Sequence, residues 1–164
     1  MASTSLRART EPTNWLVLAA LVVGVVAAGA LVGIANSPGS WYDGLDKAPL
    51  NPPSAVFGPV WTVLYVMIAV SGYLAWSATR GAARTTAMSA WTVQLLLNLA
   101  WSLVFFGLQR PEWALVEIVA LLAAIVVTIV VFARSSRLAA GLLFPYLAWV
   151  GFATYLTAGI VVLN

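Results

Sequence analysis

Five apolar segments of about 20 residues each dominate this chain and limit what it can fold into. They cover residues 15–35, 56–78, 87–107, 113–133 and 139–163. A helix of about 20 residues is about 30 Å long, which matches the hydrocarbon core of a bilayer. Strands of a membrane barrel would alternate apolar and polar residues, and the run LLAAIVVTIVVF does not. The segments therefore predict an all-α integral membrane protein, a bundle of five transmembrane helices.

The composition supports the bilayer as the solvent. Only 8% of the 164 residues are charged and 62% are apolar, whereas a soluble domain carries about 25% charged residues. The chain has no Cys and no His, which removes thiolate chemistry, the commonest metal ligand and the commonest general base. We therefore expect no metal site and no cofactor. The basic residues occupy turns and form no nucleic-acid-binding patch.

The chain begins with a polar stretch. Residues 1–14 are rich in Ser, Thr, Arg and Pro and predict a mobile tail before a single membrane domain over residues 15–164. Arg7 and Arg9 precede an apolar run, as in a signal peptide. The run is longer than a usual signal core and four more segments follow, so an uncleaved first helix is the preferred interpretation.

Basic residues are divided unequally between the two predicted membrane faces. With five spans, one face carries two basic residues, Lys47 and Arg110. The other carries six: Arg7, Arg9, Arg80, Arg84, Arg134 and Arg137. Basic residues accumulate on the cytoplasmic side. The pattern predicts a cytoplasmic N-terminus, with the first connector and the C-terminus on the outer face of a cell membrane.

The first connector is the only long one. Residues 41–65 read WYDGLDKAPLNPPSAVFGPVWTVLY, a run rich in Trp, Tyr, Pro and Gly. A simple link between two membrane helices needs no such composition. The run is typical of a shaped lid that caps a binding pocket.

The chain has eight Trp residues, and six of them form two groups. Trp15, Trp76 and Trp113 lie near predicted span ends and fit an interfacial aromatic belt. Trp61, Trp101 and Trp149 lie deeper. Tyr65 shares a helix face with Trp61, and so does Ala153 with Trp149. These inward aromatic residues fit either ordinary packing or a slot for a flat, largely apolar ligand.

Few polar residues lie inside the spans. Glu117 is the one ionisable acid or base there, and intramembrane ionisable residues are functional candidates. Its position near the start of the fourth helix also fits a structural role at the helix dipole. Gln94 and Asn98, one turn apart, fit either hydrogen bonds between helices or the lining of a cavity.

Glycine and proline mark two features of the backbone. Gly29 and Gly33 form a Gly-x-x-x-Gly motif, which permits close helix contact within the chain or in a dimer. Pro145 lies within the fifth segment and predicts a kink there.

Several separated motifs occur in an order that resembles the translocator protein family, also called tryptophan-rich sensory proteins or peripheral-type benzodiazepine receptors. The resemblance covers about residues 15–164. The motifs are Trp41-Tyr42, Leu45, Lys47-Ala48-Pro49, Pro52-Pro53, FGPVWTVLY over residues 57–65, LNLAWS over residues 97–102, FFG over residues 105–107, PYLAW over residues 145–149, FATYL over residues 152–156 and Leu163-Asn164.

The resemblance implies a five-helix bundle, usually a homodimer, whose first connector caps a pocket for porphyrins, haem-related compounds and isoquinoline or benzodiazepine drugs. By motif match, the implied pocket residues are Tyr42, Trp61, Tyr65, Asn98, Trp101, Trp149 and Ala153, and the implied lid residues are Trp41, Pro49, Pro52 and Pro53. No basic residue follows Tyr155, which departs from the sterol motif, argues against cholesterol binding and indicates a bacterial member.

Three functions follow. The first is a receptor or carrier that binds tetrapyrroles for sensing, transport or detoxification. The second is an enzyme that degrades porphyrins with light and oxygen, for which Trp61 and Trp149 match the implied catalytic positions. The third is a small proton-coupled exporter, which rests on Glu117 alone.

Overall fold

A computed structural model describes residues 14–164. Its long helices are α1 (Trp15–Ala35), α3 (Phe57–Ala78), α4 (Gly81–Ser102), α5 (Pro111–Ala133) and α7 (Phe144–Leu163), with two short helices, α2 (Ser40–Asp43) and α6 (Arg137–Gly141). A 3-10 turn at Ser54–Val56 leads into α3, and a π-helical turn at Leu103–Gly107 continues α4. Residues 14–164 contain no strand, and five of their helical segments are long and apolar enough to cross a membrane. The predicted all-α membrane bundle is confirmed.

The first helix begins at the predicted residue. Asn14 caps α1, since its Oδ1 accepts a hydrogen bond from the backbone N–H of Val17 at 3.2 Å. The Asn14 backbone N–H in turn donates to the hydroxyl of Tyr73 on α3, at 2.9 Å. The start of α1 is therefore fixed against its neighbour. The rest of the predicted mobile tail, residues 1–13, lies outside the described residues.

The third span is longer than its apolar run. It begins at Gly81 rather than near residue 87, because polar residues before the apolar run also adopt helical geometry. Gly81 has a φ of +53°, which lets the chain reverse sharply after α3. Arg84 donates to the carbonyl of Thr79 at 3.0 Å and lies 4.5 Å from the centre of the Trp76 ring. The helix therefore continues through these polar residues and does not begin after them.

The fifth span is broken rather than kinked. Helix α6 ends at Gly141, α7 begins at Phe144, and Pro145 lies in the first turn of α7. A proline in a first turn sacrifices no helical hydrogen bond. Between the two helices, Leu143 is buried and Leu142 is half-buried.

Close packing of small residues joins the helices. Helix α1 packs on α3, and α5 packs on both α4 and α7. Gly72 of α3 lies against the indole of Trp91 on α4, and Trp91 Nε1 donates to the carbonyl of Ile68 at 2.9 Å. Across the next pair, Thr128 Oγ1 donates to the carbonyl of Ala90 at 3.1 Å. One side-chain hydrogen bond thereby joins α4 to α3, and another joins α5 to α4.

The first connector folds over one end of the bundle and is attached to α7. The backbone N–H of Asp46 donates to Asn164 Oδ1, and Asn164 Nδ2 donates back to the carbonyl of Asp46, both at 3.0 Å. The hydroxyl of Tyr155 donates to the carbonyl of Pro49 at 3.0 Å. The connector is therefore an ordered roof held by backbone contacts.

Candidate functional site

A cavity of about 520 Å³ lies between α1, α3 and α4, beneath the start of the connector. Its volume falls within the range of about 300–1,000 Å³ that is usual for small-molecule sites. The wall from α1 consists of Val26, Gly29, Ala30, Val32, Gly33 and Ile34. The wall from the start of α3 consists of Phe57, Gly58, Trp61, Thr62 and Tyr65. Asn98, Trp101, Ser102 and Phe106 close the third side.

Aromatic rings form the inner surface of this cavity. The rings of Trp61 and Tyr65, one turn apart on α3, are stacked with their centres 5.4 Å apart and their planes 29° apart. On the α4 side, the ring of Trp101 meets the edge of Phe106, with centres 5.9 Å apart. Extended π surfaces of this kind favour a flat ring system as the occupant.

One polar pair lies deep among these rings. The hydroxyl of Tyr65 donates to Oδ1 of Asn98 at 2.9 Å, joining α3 to α4. Asn98 is only 4% exposed, and its amide nitrogen remains a hydrogen-bond donor. A single well-placed polar group in an apolar cavity orients a ligand more than it strengthens binding.

Gly29 determines where the Tyr65 ring lies. A Cβ atom built on Gly29 would overlap the ring of Tyr65, so the ring packs directly on the α1 backbone. The first glycine of the Gly-x-x-x-Gly motif therefore packs against another helix of the same chain. At its second glycine, Gly33, an added Cβ would meet nothing within 4 Å.

The described lining of the cavity contains no charged residue. The connector above it carries Lys47, whose Nζ lies 4.8 Å from the centre of the Tyr42 ring. That Nζ donates to the carbonyls of Leu45 at 3.0 Å and Asp43 at 3.3 Å. Burial raises the pKa of the Tyr42 hydroxyl, which donates to Asn51 Oδ1 at 3.2 Å. The described lining of the site is therefore uncharged, and the connector above it carries a cation.

The structure brings five of the seven expected pocket residues to this cavity: Tyr42, Trp61, Tyr65, Asn98 and Trp101. Trp149 does not line it. The Trp149 ring instead meets the edge of Phe57, a lining residue, with centres 5.9 Å apart. Ala153 lines a separate small cavity of about 30 Å³ between α4 and α7.

The four expected lid residues all lie in the roof, and none of them lines the cavity. Trp41 packs against Phe105, with ring centres 5.8 Å apart. Pro49 accepts the hydrogen bond from Tyr155, Pro52 accepts one from Asn51 Nδ2 at 3.3 Å, and Pro53 precedes the 3-10 turn. These residues shape the connector, while Tyr42 reaches from it to the ligand space.

The two other polar candidates lie outside the cavity. Both carboxyl oxygens of Glu117 are buried and have no hydrogen-bond partner among the described residues. Gln94 is fully buried, and its amide nitrogen donates to the carbonyl of Trp91 at 2.9 Å. Neither side chain touches the ligand space, so only Asn98 of the candidate polar residues lies there.

The place of α1 at the site is not evident from the sequence. The lining residues of α1 are small or aliphatic, and nothing in such residues distinguishes a cavity wall from a lipid-facing surface. The available signal is the pair Gly29 and Gly33, which in sequence alone indicates a helix-packing motif. Asn36, Ser37 and Pro38, just after α1, also line the cavity and carry no motif.

The fold and the site together define a multi-pass membrane protein with an aromatic cavity inside its helix bundle, beneath an ordered connector. Residues 16–163 match the model of the TspO/MBR family. The chain belongs to the TspO/MBR family, and the resemblance seen in its motifs is confirmed.

Relatives from all three domains of life resemble the chain. It is 41% identical over 154 residues to the tryptophan-rich protein TspO of Archaeoglobus fulgidus, a match that covers 92% of this chain and 99% of the relative. It is 41% identical over 152 residues to the tryptophan-rich protein TspO of Chlorobaculum tepidum, covering 88% and 94%. It is 42% identical over 118 residues to the translocator protein of Homo sapiens, covering 71% and 70%.

Proposed function

We propose that this membrane protein binds porphyrins and related tetrapyrroles, together with flat isoquinoline- or benzodiazepine-type drugs, in the cavity between α1, α3 and α4, for sensing, transport or detoxification. The observation that carries the proposal is the cavity itself: about 520 Å³ with stacked aromatic walls and one buried polar pair. A flat macrocycle offers π surface to Trp61 and Trp101, and polar ring atoms to Asn98. The apolar lining favours ligands that already dissolve in the bilayer.

The membrane setting belongs to the same proposal. We place the connector on the outer face of a bacterial cell membrane, because the basic residues are concentrated in the turns of the opposite face. A homodimer is proposed from the family resemblance. Size-exclusion chromatography with light scattering on the purified protein tests it, and a monomeric mass would remove it.

The test of binding is titration of the detergent-purified protein with protoporphyrin IX in the dark, followed by the porphyrin absorption band. We expect saturable binding that Asn98→Ala weakens about threefold to tenfold, the effect of losing about one hydrogen bond. Trp76→Phe is the matched control, because Trp76 packs beside Arg84 and not at the cavity. Linear uptake that is equal in all three proteins would show partitioning into the micelle and would remove the assigned site.

A second candidate function is light-dependent degradation of the bound porphyrin. The observation that favours it is the stacked Trp61–Tyr65 pair on the cavity wall, since an indole and a phenol in contact with the ligand are both oxidisable. Oxygen would be the oxidant and would be reduced as the illuminated ring is oxidised.

The test of degradation compares tryptophan variants under light. Trp61 lines the cavity, whereas Trp149 does not line it and packs against Phe57. We therefore expect Trp61→Phe to lower the rate of product formation more than Trp149→Phe does. Equal decay with wild type, Trp61→Phe and no protein would mean that free photobleaching explains the loss.

A further inference from the structure

The cavity has an open side between α1 and α3. Gly33 and Ile34 on α1, and Gly58 and Thr62 on α3, line the cavity and are also exposed. In contrast, Gly29 lines the cavity and is buried. Residues that share both properties mark where a cavity meets its surroundings. These four belong to two membrane spans, so the opening is a slot in the side of the bundle.

Two glycines keep this slot wide, one on each helix. A Cβ atom built on Gly33 or Gly58 would meet nothing within 4 Å. Neither glycine is therefore required by close packing within the chain, unlike Gly29, which lies against Tyr65. A larger side chain at either position would project into open space at the edge of the cavity.

The polar groups along the slot are satisfied within their own helices. Thr62 Oγ1 donates to the carbonyl of Gly58 at 2.9 Å, and Asn36 Nδ2 donates to the carbonyl of Val32 at 2.9 Å. The slot consequently presents mostly carbon surface to the bilayer. One end of the slot reaches Ser37, just after α1, and Ser54, just before α3, and both are exposed.

Ligand entry through the connector would disturb more contacts than entry through the lateral slot. The connector is attached to α7 through the paired hydrogen bonds between Asp46 and Asn164 and through the bond from Tyr155 to Pro49. Ala48 also packs directly on Gly159, where an added Cβ would overlap it. The lateral slot lies on the α1 side, away from these contacts.

We propose that ligands enter sideways from the bilayer through the slot between α1 and α3, and that Gly33 and Gly58 set its width. The inference rests on the proposed binding function and narrows its ligand class. The ligands are flat amphipathic molecules that dissolve in the membrane. They enter with the ring first and leave their ionised groups at the helix ends, because the uncharged lining offers a buried carboxylate no cationic partner.

The test uses the full chain in phosphatidylcholine vesicles, with protoporphyrin IX as the ligand and stopped-flow quenching of tryptophan fluorescence as the signal. In the double variant Gly33→Leu with Gly58→Leu, we expect both the association and the dissociation rate to fall about tenfold, which corresponds to about 1.4 kcal/mol of added barrier. Because both rates fall, Kd should change far less than either rate. Gly24→Leu is the matched control, since Gly24 is on the same helix, also faces open space and lies away from the cavity.

Two results would overturn the slot while leaving the binding site intact. One is an association rate in the double variant that equals the wild-type rate. If the oligomeric state of that variant changes at the same time, Gly33 would be assigned to contact between helices of two protomers. The other is weaker binding caused by faster dissociation alone, which would make the glycines ordinary contacts of bound ligand. Failure of the proposed function itself looks different: wild type shows no saturable signal, or Asn98→Ala binds like wild type.

Discussion

Replacing Gly29 with alanine should destabilise the bundle through one identifiable contact. The new Cβ would overlap the Tyr65 ring, so either α1 must move away from α3 or the ring must turn. Overpacking of this kind costs about 1–3 kcal/mol. Turning the ring also breaks the 2.9 Å hydrogen bond to Asn98, worth about 0.6 kcal/mol on average between membrane helices. We therefore expect a loss of about 2–4 kcal/mol in the free energy of unfolding.

The assay is reversible unfolding of the purified protein in mixed detergent micelles, followed by circular dichroism. Gly24→Ala is the control, because an added Cβ at Gly24 meets nothing within 4 Å. It should leave the unfolding midpoint unchanged or raise it slightly, since alanine is the better helix former.

A double-mutant cycle isolates the contact with Tyr65. In a Tyr65→Ala background the ring that would be overlapped is absent, so adding Gly29→Ala should cost little. If Gly29→Ala is as stable as wild type, or is equally harmful with and without the Tyr65 ring, then the proposed contact between α1 and α3 does not limit stability.

Three further expectations concern other parts of the fold. Gly72→Ala should lower the free energy of unfolding by about 1–3 kcal/mol, because the added methyl group overlaps the Trp91 indole; unfolding at the wild-type midpoint would contradict this. Asn164→Ala removes both hydrogen bonds to Asp46, so limited proteolysis should cut the connector faster than in wild type, and equal cutting rates would show that other contacts suffice. Burial raises the pKa of Tyr42 above its ordinary value of 10.0, so above about pH 10 the folded protein keeps a proton that the unfolded chain loses. The free energy of unfolding should therefore fall as pH rises past about 10. In Tyr42→Phe, the free energy of unfolding should fall less steeply over that range.

Length and polarity were enough to predict the bundle, because a helix that crosses a bilayer must be long and apolar. They were less reliable at helix ends. The sequence predicts Arg84 in a turn, but Arg84 lies inside α4, because the polar residues before the apolar run are also helical. The effect of Pro145 depends on whether the helix before it continues. Gly141 ends that helix, so the proline begins a new one.

At the candidate site too, the sequence predicts some features and leaves others open. Aromatic and polar residues at helical spacing, such as Trp61, Tyr65 and Asn98, were identifiable because their chemistry is unusual inside a membrane. The rotation of each helix is not evident from the sequence: Trp149, which the family resemblance implies as a pocket residue, does not line the cavity and packs against Phe57 instead. Gly33 has no side chain that would indicate a function, and its role depends on how far the neighbouring helix lies from it.

The attachment of the connector to α7 also has a consequence for how the protein is made. Asp46 and Asn164 are separated by 118 positions, and three further spans are synthesised between the connector and α7. If spans enter the membrane in order of synthesis, the connector must wait, unattached, until α7 has inserted. A nascent chain halted before α7 should therefore have a protease-sensitive connector, and protection of that segment would report that the whole bundle has assembled.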